Sequence, residues 1–226
     1  MGTICQLYRQ AISLYQHGTH VISCDELTGI QALERIAPTL AMKPGYIERI
    51  EFEYIRHGTV SLIANFEVAT GAVIESSLGP TRTEVDFAAH IRRTINSDSR
   101  AQWIFIVDQL NTHKSESLVR LVAETCGITE ALGVKGQSGI LKSMQTREDF
   151  LSDESHRIRF VYVPKHSSWL NQIEIWFSIL VRRLLKRSSF SSTADLVHRI
   201  SGFIDYFNRV LAKPFNWTYK GRPLTV

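Results

Sequence analysis

Cysteine is scarce in this chain. Cys5, Cys24 and Cys126 are the only three in 226 residues, and no two of them form a CxxC pair. An odd, scattered set of thiols supports neither a disulfide framework nor a zinc cage. His17 and His20 lie close together, but no third or fourth ligand stands near them in the sequence, so a structural metal is set aside. Apolar runs long enough to cross a bilayer are missing too, and the N-terminus lacks the basic-then-apolar layout of a secretory signal. The expectation is a cytoplasmic protein with no membrane segment. Internal repeats and low-complexity tracts are also missing. Charge of one sign is in small excess: 26 Lys and Arg against 22 Asp and Glu give a net +4, which permits a polyanionic partner without requiring one.

What is present suits one soluble α/β domain, with 44% hydrophobic and 21% charged residues. Residues 3–16 read as a short helix and His20–Cys24 as a strand ending at Asp25. From Glu26 to His57 the breakers Pro38, Pro44 and Gly45 suggest irregular chain. Thr59–Val68 and Ala72–Ser76 read as strands around a turn supplied by Gly71. Apolar residues at helical spacing from Val85 to Ile95 predict a helix over about 82–96. Ile104–Val107 is apolar at every position, as in a central strand covered on both faces. A helix over about 115–125, a strand over Ile158–Val163 and helices over about 169–186 and 193–208 follow. The glycine-rich stretch of about 127–157 reads as a solvated insert, and its Gly133–Ile140 run matches a phosphate-binding loop only loosely. The order β-β-β-α-β-α-β-α-α is that of a ribonuclease-H-like (retroviral-integrase-like) fold: a mixed five-stranded sheet flanked by helices.

In such a sheet three distant carboxylates, Asp25, Asp108 and Glu174, would be brought together. Two Mg²⁺ ions about 4 Å apart can clamp the attacking and leaving oxygens of an in-line phosphoryl displacement, and three carboxylates are the smallest set that holds them. An aspartate closing an apolar strand does not belong to the core, because burying it unpaired is costly; the alternative role for Asp108 is to cap the turn through Asn111 and Thr112. On a helical wheel Glu174 falls at the border between an apolar face with Trp169, Trp176 and Phe177 and a basic face with Arg182, Arg183 and Lys186. That basic face, with Lys213, Lys220 and Arg222 further on, offers footing to a nucleic-acid backbone. Asn111, His113, His166 and Asn171 flank the carboxylates as phosphate contacts or supports of the metal ligands, or as turn and cap residues. Alternation along a strand should turn Glu26 away from Asp25, which predicts that Glu26 plays no part in the chemistry.

The runs Val21–Glu26, Phe52–Thr59, Ile106–His113 and, most specifically, Pro164–Phe177 with its Ser-Trp-Leu-Asn then Glu resemble the DDE transposases of the insertion-sequence 630 and mariner group. The resemblance implies that Asp25, Asp108 and Glu174 are the catalytic, metal-binding triad and that two Mg²⁺ (or Mn²⁺) ions are the cofactors. It implies DNA, at transposon ends and target, as partner, with a homodimer or a full-length transposase as a further one, and a bacterial, nucleoid-associated location. The function implied is metal-dependent DNA cleavage and strand transfer. A ribonuclease-H-like nuclease or resolvase without strand joining, and a non-catalytic remnant that modulates a full-length transposase, are the alternatives. The corresponding organisation is a linker-derived helix over 1–19, a catalytic domain over 20–212 and a basic, aromatic tail over 213–226. Family members usually carry helix-turn-helix modules ahead of the catalytic domain, and the residues before His20 are too few for one; a truncated or split reading frame is expected.

Overall fold

The structure, a computed structural model, describes residues 1–221; Arg222 and the end of the expected tail lie outside the described residues. Five strands form one sheet in the order β3-β2-β1-β4-β5: β1 Thr19–Arg35, β2 Tyr54–Glu67, β3 Ala72–Gly79, β4 Gln102–Val107 and β5 Ile158–Tyr162. β1 pairs antiparallel with β2 and parallel with β4, and β4 pairs parallel with β5. Six helices cover the sheet: α1 Gly2–Gln16, α2 Glu84–Ser97, α3 Glu116–Cys126, α4 Met144–Leu151, α5 Ile173–Arg183 and α6 Thr193–Val210. This is the expected mixed, helix-flanked, ribonuclease-H-like architecture.

Alternation along the central strands divides the core. Ile22 and Cys24 of β1 and Trp103, Phe105 and Val107 of β4 pack under α2 and α3. Val21, Ile104 and Ile106 point the other way, against Ile4, Cys5 and Tyr8 of α1, so the helix expected to derive from a linker is packed into the domain. Further along that second face, α5 and α6 cover β2 with Trp176, Phe177, Ile200 and Phe207. β4 is thus buried on both sides, which is why its sequence shows no polar alternation.

Three expectations need correction. β1 does not stop at Asp25. It runs on to Arg35, with Ile30 and Ala32 buried against β2. The register shifts between Leu27 and Ile30, where Gly29 takes φ +65°; this bulge breaks the period-two pattern that would have revealed the strand. Irregular chain is therefore confined to about 36–53, an arm on which Met42, Ile47 and Phe52 are 76%, 79% and 80% exposed. Secondly, the 127–157 segment is not a solvated insert, since Leu141 and Leu151 are fully buried in the α2–α3 core. Thirdly, the helix expected from residue 169 begins at Ile173, after a 3-10 turn over Ser168–Leu170. Trp169 consequently stands 51% exposed and is not core.

Gly71 does more than turn the β2–β3 hairpin. At φ +74° an added Cβ would overlap the Lys213 backbone, so a side chain there would push away the segment that follows α6.

Candidate active site

Strand register brings the first two carboxylates level. The parallel pairing of β1 and β4 matches Ser23 with Ile106. Two residues further along each strand stand Asp25 and Asp108, on neighbouring chains about 4.8 Å apart in a sheet. Asp108 is the first residue past β4, at the C-terminal edge where parallel sheets open a crevice. Asp25 is buried, while the Asp108 side chain keeps 35% of its surface exposed.

Glu174 comes from the first turn of α5, and contacts between β1 and the turn before α5 set its position. Asn171, fully buried, donates from Nδ2 to the Cys24 carbonyl (2.9 Å) and to Asp25 Oδ2 (3.2 Å), and its Oδ1 accepts a short hydrogen bond from the Ser23 hydroxyl. Ser23 Oγ in turn accepts from the Ile173 amide at 2.8 Å, satisfying a free N–H at the helix start. From α1, the Tyr8 hydroxyl donates to the Leu170 carbonyl at 2.7 Å. The sequence reading missed Ser23 and Tyr8. Their partners lie about 150 residues away, beyond the reach of any local pattern.

The three carboxylates feel one another through Asp108. Burial, then the charge of Asp108, pushes the Asp25 carboxyl up to about 7. The same two causes raise Glu174. Burial acts upward on Asp108 as well, but hydrogen bonds from His113 and the Leu110 amide outweigh it and hold that carboxyl below its usual range. Asp108 is therefore the ionised centre, and its neighbours resist ionising beside it. Among the described residues no group of three or more His, Cys, Asp and Glu is close enough together to ligate an ion; the three carboxylates interact as charges rather than as a closed cage. As donors they are hard oxygens, which suits Mg²⁺ or Mn²⁺.

His113 is fully buried, with Nδ1 2.8 Å from Asp108 Oδ1 and Nε2 3.3 Å from Glu26 Oε2. Burial works against its charged form, yet the two carboxylates raise the imidazole to about 9. Glu26 does sit on the face opposite Asp25, as alternation requires, but that face is interior: its side chain is 2% exposed. The loop carrying Asp108 and His113 is braced from α4. Glu148 pairs with Lys114 Nζ at 2.6 Å, and buried Arg147 donates to the Lys114 carbonyl at 2.6 Å. α4 is eight residues long and mostly polar, so no apolar period marks it in the sequence.

The remaining candidates are less tightly gathered. His166, with φ +61°, lines a small cleft of about 200 Å³ beside Asp108. Asn111 is exposed in the 3-10 turn after β4. Arg182 and Arg183 lie at the far end of α5 from Glu174, about 12 Å along the axis. With Arg187 and Lys213 they rim an open groove of about 820 Å³ floored by Phe203 and Phe215. Lys186 faces a different groove, beside Arg35, so the basic face read from the helical wheel is two surfaces.

No curated protein matches the chain by sequence. Among solved structures, a pre-cleavage Mos1 transpososome superposes with a TM-score of 0.51 at 12% identity, over 91% of this chain and 55% of the other. The Mos1 mariner transposase catalytic domain gives 0.48 at 10% identity, over 90% and 80%. The chain thus spans about half the length of the first of these proteins. The family described as DDE superfamily endonuclease matches residues 20–197, from the first strand into α6, and the chain belongs to it.

Proposed function

We propose that the chain is the catalytic domain of a transposase of the insertion-sequence 630 and mariner group, cleaving DNA at transposon ends and joining the freed 3′-OH to target DNA. The observation that carries this reading is the strand register that sets Asp25 and Asp108 level at the C-terminal edge of the paired strands β1 and β4, in a chain that belongs to the DDE superfamily endonuclease family. Asp25 and Asp108 on neighbouring strands, with Glu174 near enough to feel the charge of Asp108, would favour a bound cation. Mg²⁺ or Mn²⁺ would be held by Asp25, Asp108 and Glu174, and would supply charge neutralisation at the attacking and leaving oxygens. The protein's own part is positional: Asn171 orients Asp25, His113 orients Asp108, and the Ser23 anchor sets the first turn of α5 under Glu174. His166, which lines the small cleft beside Asp108, and Asn111, exposed in the turn after β4, are proposed to meet an entering phosphate. The location that goes with this activity is the bacterial nucleoid.

The test is cleavage of duplexes carrying candidate terminal repeats, pre-nicked at the element end, with Mg²⁺ and with EDTA. Asp108→Asn and Glu174→Gln should each lower the rate at least about 10³-fold at unchanged fold, as loss of one group in a cooperative site does. Comparable rates in either variant would remove that residue from the site. Cleavage without joined product would favour the nuclease reading. A wild-type chain that binds DNA without cutting it would favour the non-catalytic remnant.

The groove rimmed by Arg182, Arg183 and Arg187 is proposed to carry backbone phosphates. Replacing all three with Gln should reduce the slope of log affinity against log salt by about 2 to 3, since each lost phosphate contact releases roughly one counterion fewer. An unaltered slope in a binding titration from low to physiological salt would show that DNA does not run there.

A further inference from the structure

We propose that Glu26 is a positioning residue for the reaction, acting through His113 to fix the carboxylate of Asp108. The inference rests on the proposed two-metal reading and assigns a fourth carboxylate to it, reversing the expectation that Glu26 plays no part.

Glu26 is out of place on any structural account. The residues before it on the same face of β1, Ile22 and Cys24, are core hydrophobes, and a Leu in its place would fill that interior without burying charge. Burying a carboxylate that is poorly paired is costly. Oε1 of Glu26 nevertheless has no hydrogen-bond partner among the described residues. The contact of Oε2 with His113 Nε2, at 3.3 Å, is ionic rather than an aligned hydrogen bond. Such a group contributes little to stability, which leaves its effect on the imidazole as its evident use.

Among the described residues, His113 forms ion pairs with both carboxylates. Its ring lies against Phe87, with centroids 4.4 Å apart, and its carbonyl accepts from the Tyr162 hydroxyl at 2.8 Å. The backbone and one ring face are thereby fixed, and the remaining freedom is rotation of the ring about its bond to Cβ. With Asp108 Oδ1 2.8 Å from one nitrogen and Glu26 Oε2 3.3 Å from the other, a turn that carries Nε2 away from Glu26 also carries Nδ1 away from Asp108. Glu26 thus holds the ring edge that meets Asp108. Partners of this kind, one residue behind the ligand, orient a ligand and tune its affinity for metal by about 10- to 100-fold.

The experiment compares Glu26→Leu and Glu26→Gln with wild type, in the full chain, by three readings: thermal midpoint, affinity for Mn²⁺ alone by electron paramagnetic resonance, and the Mg²⁺ dependence of DNA cleavage. Glu26→Leu should keep or raise the midpoint, weaken Mn²⁺ binding about 10-fold or more, and lower kcat about 10- to 100-fold with little change in the KM for DNA. Glu26→Gln, which keeps the length of the side chain and a polar oxygen beside His113 Nε2, should recover most of both. A Glu26→Leu chain with wild-type Mn²⁺ affinity and kcat, or a Gln variant no better than Leu, would overturn the positioning role. Should the Leu variant fail to fold, Glu26→Gln is set against His113→Gln: the first should stay near wild type and the second fall, and equal values would count against the proposal. A wild-type chain that neither binds Mn²⁺ nor cleaves DNA would sink the two-metal reading, and this role with it.

Discussion

Asp25→Asn is expected to abolish Mg²⁺-dependent cleavage and, in the absence of metal at pH 8, to make the protein more stable. The two effects share a cause. Asp25 is buried beside the ionised Asp108, so its carboxyl is raised from 3.8 to about 7 in the folded protein. Between those values the folded state holds a proton that the unfolded chain has released, and stability therefore falls as pH rises through that window. Above about pH 7 the full penalty is present; below about pH 4 there is none. An amide carries no such charge penalty and its oxygen can keep the Asn171 contact, while the bond that Asp25 Oδ1 accepts from the Glu26 amide at 2.8 Å is lost and offsets part of the gain. The gain at pH 8 should be about 1 to 3 kcal/mol, or roughly 3 to 8 °C in Tm, shrinking toward zero at pH 4. Mg²⁺ should stabilise the wild type more at pH 8 than at pH 6, because the cation takes over the role of the proton, and should barely move Asp25→Asn. Thermal melts across pH with and without Mg²⁺ read all of this. A variant less stable than wild type at pH 8 without metal would mean that Asp25 is a structural carboxylate whose charge the fold needs.

Such an exchange of stability for charge is legible in the sequence only where local pattern and chemistry coincide. β4 announces itself because four consecutive apolar residues, Ile104 to Val107, are followed by an aspartate, and a strand buried on both faces has no other way to be written. β1 is harder: the Gly29 bulge interrupts the alternation just past Asp25, so the strand's second half passes for loop. The start of α5 misleads for the opposite reason. Leu170 is buried and falls in phase with the apolar face of the helix, although the chain between them is a 3-10 turn followed by Asn171 and Gln172. Residue types that can bind metal were therefore visible early, whereas the residues that hold them in place were not. Ser23, Tyr8, Glu148 and the Glu26–His113 contact act between segments distant in sequence, and a single chain's periodicity carries no trace of them.

Asn171→Ala is the sharpest probe of that hidden layer. The side chain makes hydrogen bonds to Ser23, to the Cys24 carbonyl and to Asp25, and it is fully enclosed. Truncation leaves the Ser23 hydroxyl, a backbone carbonyl and one carboxylate oxygen without this partner in a site too tight to rehydrate freely; each such loss costs about 1 to 3 kcal/mol. Some relaxation will offset the sum, and a net loss of about 2 to 4 kcal/mol is expected. Stability is only part of the effect. Ser23 also receives the Ile173 amide, so once Asn171 is gone the first turn of α5, and Glu174 with it, is free to shift relative to Asp25. A displacement of about 1 Å at reacting groups lowers rates about 10²-fold. Cleavage by Asn171→Ala, measured well below its own Tm, should therefore fall by about that factor, with DNA affinity little changed because the α5 and α6 groove is remote from the clamp. Asn171→Asp supplies the second reading: it keeps the size but places a further carboxylate against Asp25, and should lower activity more steeply as pH rises. Full activity in Asn171→Ala at matched folded fraction would show that α5 is held by its apolar face alone, and that the clamp between β1 and α5 has no part in placing Glu174.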